Sequence, residues 1–493
     1  MLPAILFILS LIFVWIVKKI LWKGLDIPGP KGTPIFGNAF QLDQNAPFVQ
    51  FLLWSRQYGS VFKIQLFNEE VVVLNDYDVI KEALLEKSGD FAGRPSSWRM
   101  KFITPGGHED IIWRDLGPDL KKLKKIAHSG LKQFGDGMDR ITSLASDEIQ
   151  DCITRFRSNN GVPFDPRELV GQCIINIMIG LVLGENVNKD SVDFKLMCYM
   201  LDTMDRCGAA GMGKELDMFP WLRFFGNSSY KILKEYNEIR ERLLSSWIQR
   251  SEYKLSMHTE EARSVTETLL QHYKLGNITR NEMHGVLIDI LLGGIVTTES
   301  TLKAFLLILI NKPEVQKNIQ REIDDCIGDD RLPTFKDRHN MPYTEAAILE
   351  ILRYSTTSTL SIPHKALCDT SVGGYKIPRG TVLWMNIWGM HHDEKYFDDP
   401  YEFKVERFLD KNGNLILAHD RKSFLPFGVG KRECLGEAMA KVRMFLFVTG
   451  LLQKLEIVPE DINNPPDPDP AKFVCAITNQ PGPFNIVVKD RRN

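Results

Sequence analysis

From Val286 to Ile310 the chain reads VLIDILLGGIVTTESTLKAFLLILI, an apolar run that reads as one long buried helix. Its centre is poor helix material. Gly293 and Gly294 are adjacent, the β-branched cluster Ile295, Val296, Thr297 and Thr298 follows, and each glycine costs up to about 1 kcal/mol relative to alanine. A chain that weakens its longest apolar helix in the middle needs that backbone for something besides packing. Such a helix also needs a large core around it, and 493 residues with 44% apolar and 25% charged side chains can supply one. The net charge of −2 gives no reason to expect nucleic acid as a partner.

The N-terminus, MLPAILFILSLIFVWIVKKILWKG, places an apolar run from Leu2 to Val17 before Lys18, Lys19 and Lys23. A cleaved signal peptide has the opposite charge order and a small-residue cleavage site, so an uncleaved anchor over residues 1–22 is expected, with a buried soluble helix as the competing reading. Ile20, Leu21 and Trp22 extend the run while the lysines snorkel, and positive charge on the C-terminal side puts the remainder in the cytoplasm. Residues 23–37, which include IPGPKGTPIFG, alternate proline and glycine and read as a stiff linker. Residues 38–493 then form one domain, mostly α with a small β portion. Helical periodicity is almost continuous from about residue 118 to 355, and β patterns occur at 58–76, 371–386 and 483–489. There is no internal repeat. The eight cysteines are scattered without CxxC spacing, as suits reduced thiols facing the cytosol.

GAAGMGKE, residues 208–215, nearly matches a phosphate-binding loop, but Glu215 stands where a hydroxyl must hold Mg²⁺ and no strand precedes it. It reads as an ordinary loop. Two glycosylation sequons, at Asn227 and Asn277, lie on the cytoplasmic side and should remain unmodified.

The most specific stretch is PFGVGKRECLGEAMAKVRMFLFVTGLLQ, in which Phe427, Gly430, Arg432, Cys434 and Gly436 precede an apolar helix. Cys434 is therefore expected at a helix N-terminus, where the dipole favours a thiolate, with glycines on both sides that allow a flat, bulky cofactor to approach. These five positions match the loop F-x-x-G-x-R-x-C-x-G, and here the chain resembles the cytochrome P450 family.

The resemblance implies the cytochrome P450 fold, with haem b (iron protoporphyrin IX) between two long helices. Cys434 would be the axial iron ligand, and thiolate ligation favours O–O cleavage. Arg432, Arg94 of FAGRP and His364 of IPHKA would hold the propionates. In DLGPDLKKLKK the family's Trp and Arg are replaced by Leu120 and Lys124, so Lys124 would supply a charge while one hydrogen bond is lost. Glu350 and Arg353 of EILR, with Arg407 of DDPYEFKVERF, match a Glu-Arg-Arg network that braces the haem loop, although Val405 occupies a usual proline position. Gly293 to Thr298 fall on the oxygen-activating segment: the small residues Gly293 and Gly294 would allow close approach to haem, Thr297 and Thr298 would handle protons, and the helix would open locally. Val296 replaces the acid usual there.

By the same resemblance, which is closest to the animal microsomal group of steroid 17-hydroxylases and drug- or aryl-hydrocarbon-oxidising enzymes, the chain is a membrane-anchored monooxygenase of the endoplasmic reticulum. It contains no strand-GxGxxG-helix unit, so electrons would come from an NADPH-cytochrome P450 reductase, with cytochrome b5 a further candidate. Lys121 to Lys125, Lys431, Arg432, Lys441 and Arg443 are the expected basic docking patch. Phe219, Trp221, Phe224 and Phe225 could dip into membrane lipid and admit lipophilic substrates, or could pack in the core. Two other functions stay open: an isomerase or peroxide-using member of the family, and a non-catalytic haem- or lipid-binding protein.

Overall fold

The computed structural model describes residues 24–491 apart from positions 35, 44, 68, 133–138, 209–213 and 258–261. The expected anchor at 1–22 and most of the glycine-rich 208–215 segment lie outside the described residues. The proline-rich stretch lies against the first strand: the Lys63 N–H donates to Pro28 O at 2.8 Å, and a Cβ on Gly29 would meet Lys63 O at 2.0 Å.

Helix α1 (Pro47–Tyr58) leads into strands β1 (Val61–Leu66) and β2 (Glu69–Leu74). The helical middle follows as α2 (Pro118–Lys132), α3 (Asp139–Arg157), α4 (Arg167–Leu183), α5 (Val192–Gly208) and α6 (Ser228–Met257). It continues through α7 (Val265–Lys274), α8 (Arg280–Asn311), α9 (Pro313–Cys326) and α10 (Pro342–Ser355). Short strands β3 (His364–Lys365), β4 (Thr370–Val372), β5 (Tyr375–Ile377) and β6 (Val382–Met385) come next. The chain ends with α11 (Glu437–Lys454), β7 (Leu455–Pro459), β8 (Val474–Cys475), β9 (Asn479–Gln480) and β10 (Ile486–Asp490).

The first two of the expected β segments find each other across the sequence. β2 pairs antiparallel with β1 and parallel with β6, placing Val71 to Leu74 opposite Val382 to Met385, while β6 pairs antiparallel with β3. β4 and β5 form a hairpin whose turn glycines, Gly373 and Gly374, both take positive φ, as a tight two-residue turn requires. β10 pairs antiparallel with β7, whose strand character the sequence pattern did not reveal.

α8 threads the helical core, packing against α4, α7, α10 and α11. It starts at a capping box, Thr279 Oγ1 accepting from the Glu282 N–H at 3.0 Å and Glu282 accepting from the Thr279 N–H at 2.8 Å. It stops before Pro313. From Thr301 to Ile310 every residue is buried. Burying each large aliphatic side chain stabilises by roughly 1.5–3 kcal/mol, which outweighs about 1 kcal/mol per glycine, so packing carries the helix through its weak centre. The expected local opening is not observed. α8 is continuous across Gly293 to Thr297, with the hydroxyls of Thr297, Ser300 and Thr301 bonded to carbonyls one turn back on an intact ladder. It is a core helix, and 72% of its most apolar window is buried.

Candidate functional site

The Cys434 loop is shaped by glycines. Gly428 and Gly430 take φ of +67° and +78°, and a Cβ on Gly430 would sit 2.0 Å from Leu84 O, so no other residue fits there. The Cys434 N–H donates to Phe427 O at 2.9 Å and closes the loop. Gly436 is the N-cap of α11, and a Cβ there would meet only Cys434 Sγ, at 4.0 Å. The sulfur therefore lies just ahead of the first helical turn, on the open side of the loop. Cys434 is an exposed residue, and its surroundings act on the thiol in both directions. Desolvation pushes the Cys434 thiol up, while a Gly436 N–H and the charges of Arg443 and Lys124 pull it down. A bound metal would deprotonate such a thiol outright.

Beside the loop, basic side chains converge from distant segments. Arg94, 5% exposed, donates from Nε to Ile112 O and from Nη1 to Ile362 O and Pro363 O, each at 2.9 Å. Arg432 donates to Ala92 O at 2.8 Å, to Ile111 O at 3.1 Å and to Arg114 O. Lys124 reaches Lys431 O at 3.0 Å. Neither Arg94 nor Arg432 has an ion-pair partner among the described residues. Burial, with Arg432 as a like charge, lowers Arg94 to about 9, and burial lowers Arg432 to about 10. Burial and Arg432 also depress Lys124. Leu120 is fully buried, so it joins the core and not this cluster.

His364 needs a qualification. Its Nδ1 lies 2.7 Å from Phe91 O, and burial with Arg94 lowers its pKa to about 3. The neutral ring must donate from Nδ1, which leaves Nε2 an acceptor; it can donate to an anion only after taking a second proton.

α8 packs against α11, the helix that follows the Cys434 loop. From Arg280 to Ser300 only Arg280, Asn281, Asp289, Ile290, Gly293, Gly294, Val296, Thr297 and Glu299 escape full burial, and those from 289 to 297 recur at helical spacing. A Cβ on Gly293 would meet nothing within 4 Å. Gly294 is part-exposed on the same helix, and a Cβ there would lie 2.4 Å from Met178 Cε, the flexible end of a side chain on α4. Thr297 Oγ1 donates to Gly293 O at 2.7 Å at the edge of this face, whereas Thr298 is buried and its hydroxyl has no hydrogen-bond partner. Asp289, overlooked in the sequence, accepts from the Ile111 and Ile112 N–H groups at 2.7 and 3.0 Å and clasps the loop beside Arg94 onto α8.

The Glu-Arg-Arg network forms as expected. Glu350 and Arg353, both without solvent exposure, share bonds of 2.7 and 2.8 Å, and Arg407 Nε lies 3.4 Å from Glu350. Arg353 also donates to His391 O at 2.9 Å and Pro400 O at 2.8 Å. Val405 is buried at the start of a 3₁₀ turn that presents Arg407. The link to the loop was not anticipated: His391 accepts at Nε2 from the Leu425 N–H, 3.1 Å away, while Nδ1 meets Thr356 Oγ1 at 3.0 Å. Nothing in the pair His391-His392 signalled this, because the partners lie more than thirty residues off.

The expected basic patch is smaller than its sequence suggests. Arg443 is 2% exposed and belongs to the interior, Arg432 turns inward to carbonyls, and Lys441 pairs with Glu437 at 2.6 Å. Lys121, Lys122, Lys125 and Lys431 remain exposed, and the Lys124 bond to Lys431 O joins their two segments. The aromatic cluster is outside the core: Phe219, Trp221, Phe224 and Phe225 are 45%, 54%, 72% and 77% exposed.

The residues fit an iron porphyrin. α8 offers a side-chain-free patch at Gly293, the loop offers a thiol bordered by Gly436, and beside the loop Arg94 and Arg432 bond only carbonyls and could turn to carboxylates, with Asp110 and Asp115 nearby. The family model described as Cytochrome P450 matches residues 27–488. Steroid 17-alpha-hydroxylase/17,20 lyase of Rana dybowskii is 34% identical over 485 residues, covering 94% of this chain and 91% of the relative. Cytochrome P450 1A1 of Oryctolagus cuniculus is 32% identical over 453 residues, covering 88% and 86%. A zebra fish cytochrome P450 structure with progesterone superposes with a TM-score of 0.80 at 28% identity, covering 90% of this chain and 99% of that one.

Proposed function

On the premise that the chain belongs to the cytochrome P450 family and is a monooxygenase-type oxidoreductase, we propose that it hydroxylates a lipophilic small molecule, in the steroid, fatty-acid or xenobiotic range, at the endoplasmic reticulum membrane. The carrying observation is the glycine-shaped Cys434 loop running into α11, which packs against α8 and is tied by Arg443 to the carbonyl of Gly294.

Cys434 is the iron ligand in this reading; Arg94, Arg432 and Lys124 neutralise the propionates of haem b, and His364 joins them on protonation. When bound, the haem supplies activation of dioxygen, which thiolate ligation favours. The chain's own residues do the rest. The Gly293 face admits the flat group, Phe427 and the Glu350, Arg353 and Arg407 network hold the loop through His391, and the Thr297 hydroxyl can exchange its bond to Gly293 O for one to a proton acceptor on the cofactor side. With Val296 in place of an acid, protons would pass through Thr297, Thr298, Glu299 or water.

The exposed lysines support docking of an acidic NADPH-cytochrome P450 reductase, with cytochrome b5 a second candidate for the same face. The exposed aromatics at 219–225 and the apolar N-terminus support a membrane-facing orientation of a cytoplasmic domain and entry of substrate from lipid. The relatives named for steroid 17-alpha-hydroxylation and the progesterone-bound structure support a steroid-sized substrate.

The test is reductase-dependent NADPH consumption with analysis of products across a lipophilic panel. Hydroxylated product formed in step with NADPH supports the proposal. Conversion of a hydroperoxide without any NADPH consumption would instead favour the isomerase or peroxide-using reading.

A further inference from the structure

Arg443 is a buried cation with no buried anion beside it. It lies on α11, 2% exposed, and its guanidinium spends itself on two carbonyls: Nε donates to Met439 O at 3.2 Å and Nη1 to Gly294 O at 2.9 Å. Among the described residues no carboxylate is within ion-pair distance. Burial lowers its pKa to about 10, so it stays charged at neutral pH, and the group of opposite sign that acts on it is Cys434. Arginine side chains on a helix lean toward its N-terminus, here toward the Cys434 loop. An unpaired buried charge is costly unless something offsets it, and a packing role alone would be met by methionine or leucine.

We propose that Arg443 is a positioning residue of the redox centre: its fixed positive charge, anchored to the α8 carbonyl of Gly294, faces the Cys434 thiolate from within the core and favours the reduced cofactor. The proposal rests on Cys434 being the haem ligand. Reduction of a thiolate-ligated ferric haem adds one electron and no proton to a site whose net charge falls by one, so a nearby cation stabilises the product state. The same guanidinium ties α11, which begins after the Cys434 loop, to the carbonyl of Gly294 on α8.

The experiment is a spectroelectrochemical titration of the full-length, haem-loaded protein and three variants, R443K, R443M and R443Q. The reduced carbon monoxide band of the wild type is recorded first, because its absence would refute the assignment of Cys434 and not the role of Arg443. Removing the charge in R443M or R443Q should move the ferric/ferrous equilibrium roughly tenfold toward ferric, about 59 mV for one electron, while R443K stays with the wild type. An unchanged potential in R443M, with its thiolate-type band intact, overturns the proposal and leaves Arg443 a packing residue. Loss of the band in both neutral variants but not in R443K supports the charge; loss in all three overturns it.

Discussion

Glu350 and Arg353 have no solvent exposure, so removing either strands the other's charge in the core. Arg353→Met should destabilise by about 3–5 kcal/mol, read from denaturant unfolding, and should loosen haem retention because the bond to His391 O is lost with it. His391 itself predicts a pH effect. Burial, then Arg353, lowers its pKa to about 3 against an ordinary 6.5, so the unfolded state binds the proton first. The resulting stability is complete above about pH 6.5 and is lost as pH falls toward 3. The stability gap between wild type and His391→Phe should therefore narrow by about 2 kcal/mol between pH 7.5 and pH 5. A gap independent of pH would show that His391 is not held neutral.

At the scale of the element, the two glycines of α8 have different tasks. Gly293 faces open space, so Gly293→Ala should fold and gain up to about 1 kcal/mol without haem, yet perturb the spectrum and binding of the loaded protein. Gly294→Ala drives a methyl group into Met178 and should cost about 1–3 kcal/mol whether or not haem is present. Thermal unfolding of both variants in both states separates the two roles. Helical spacing alone could mark the pair as special but could not say which member faces the site, since that depends on where α4 lies.

Across the whole molecule, what could be read in advance was local in sequence. The loop ending in Cys434, the Glu350 and Arg353 spacing and the long helical middle each carry their signal within a few turns of chain. What depends on distant packing was not legible: Arg443 looked like a surface charge in a basic run, and Asp289 and His391 had no visible partners. The proposed docking surface is correspondingly reduced to Lys121, Lys122, Lys125 and Lys431. Reversing these four charges to glutamate should raise the KM for reductase and flatten its salt dependence while the haem spectrum stays unchanged. The central claim, that Cys434 is the thiolate ligand of a haem lying against α8, is tested most directly by the reduced carbon monoxide difference spectrum of the haem-loaded protein beside Cys434→Ala. The wild type should show the thiolate-type band and the variant should lack it while keeping its helical circular dichroism. A wild type without that band, or a variant that retains it, would contradict the assignment.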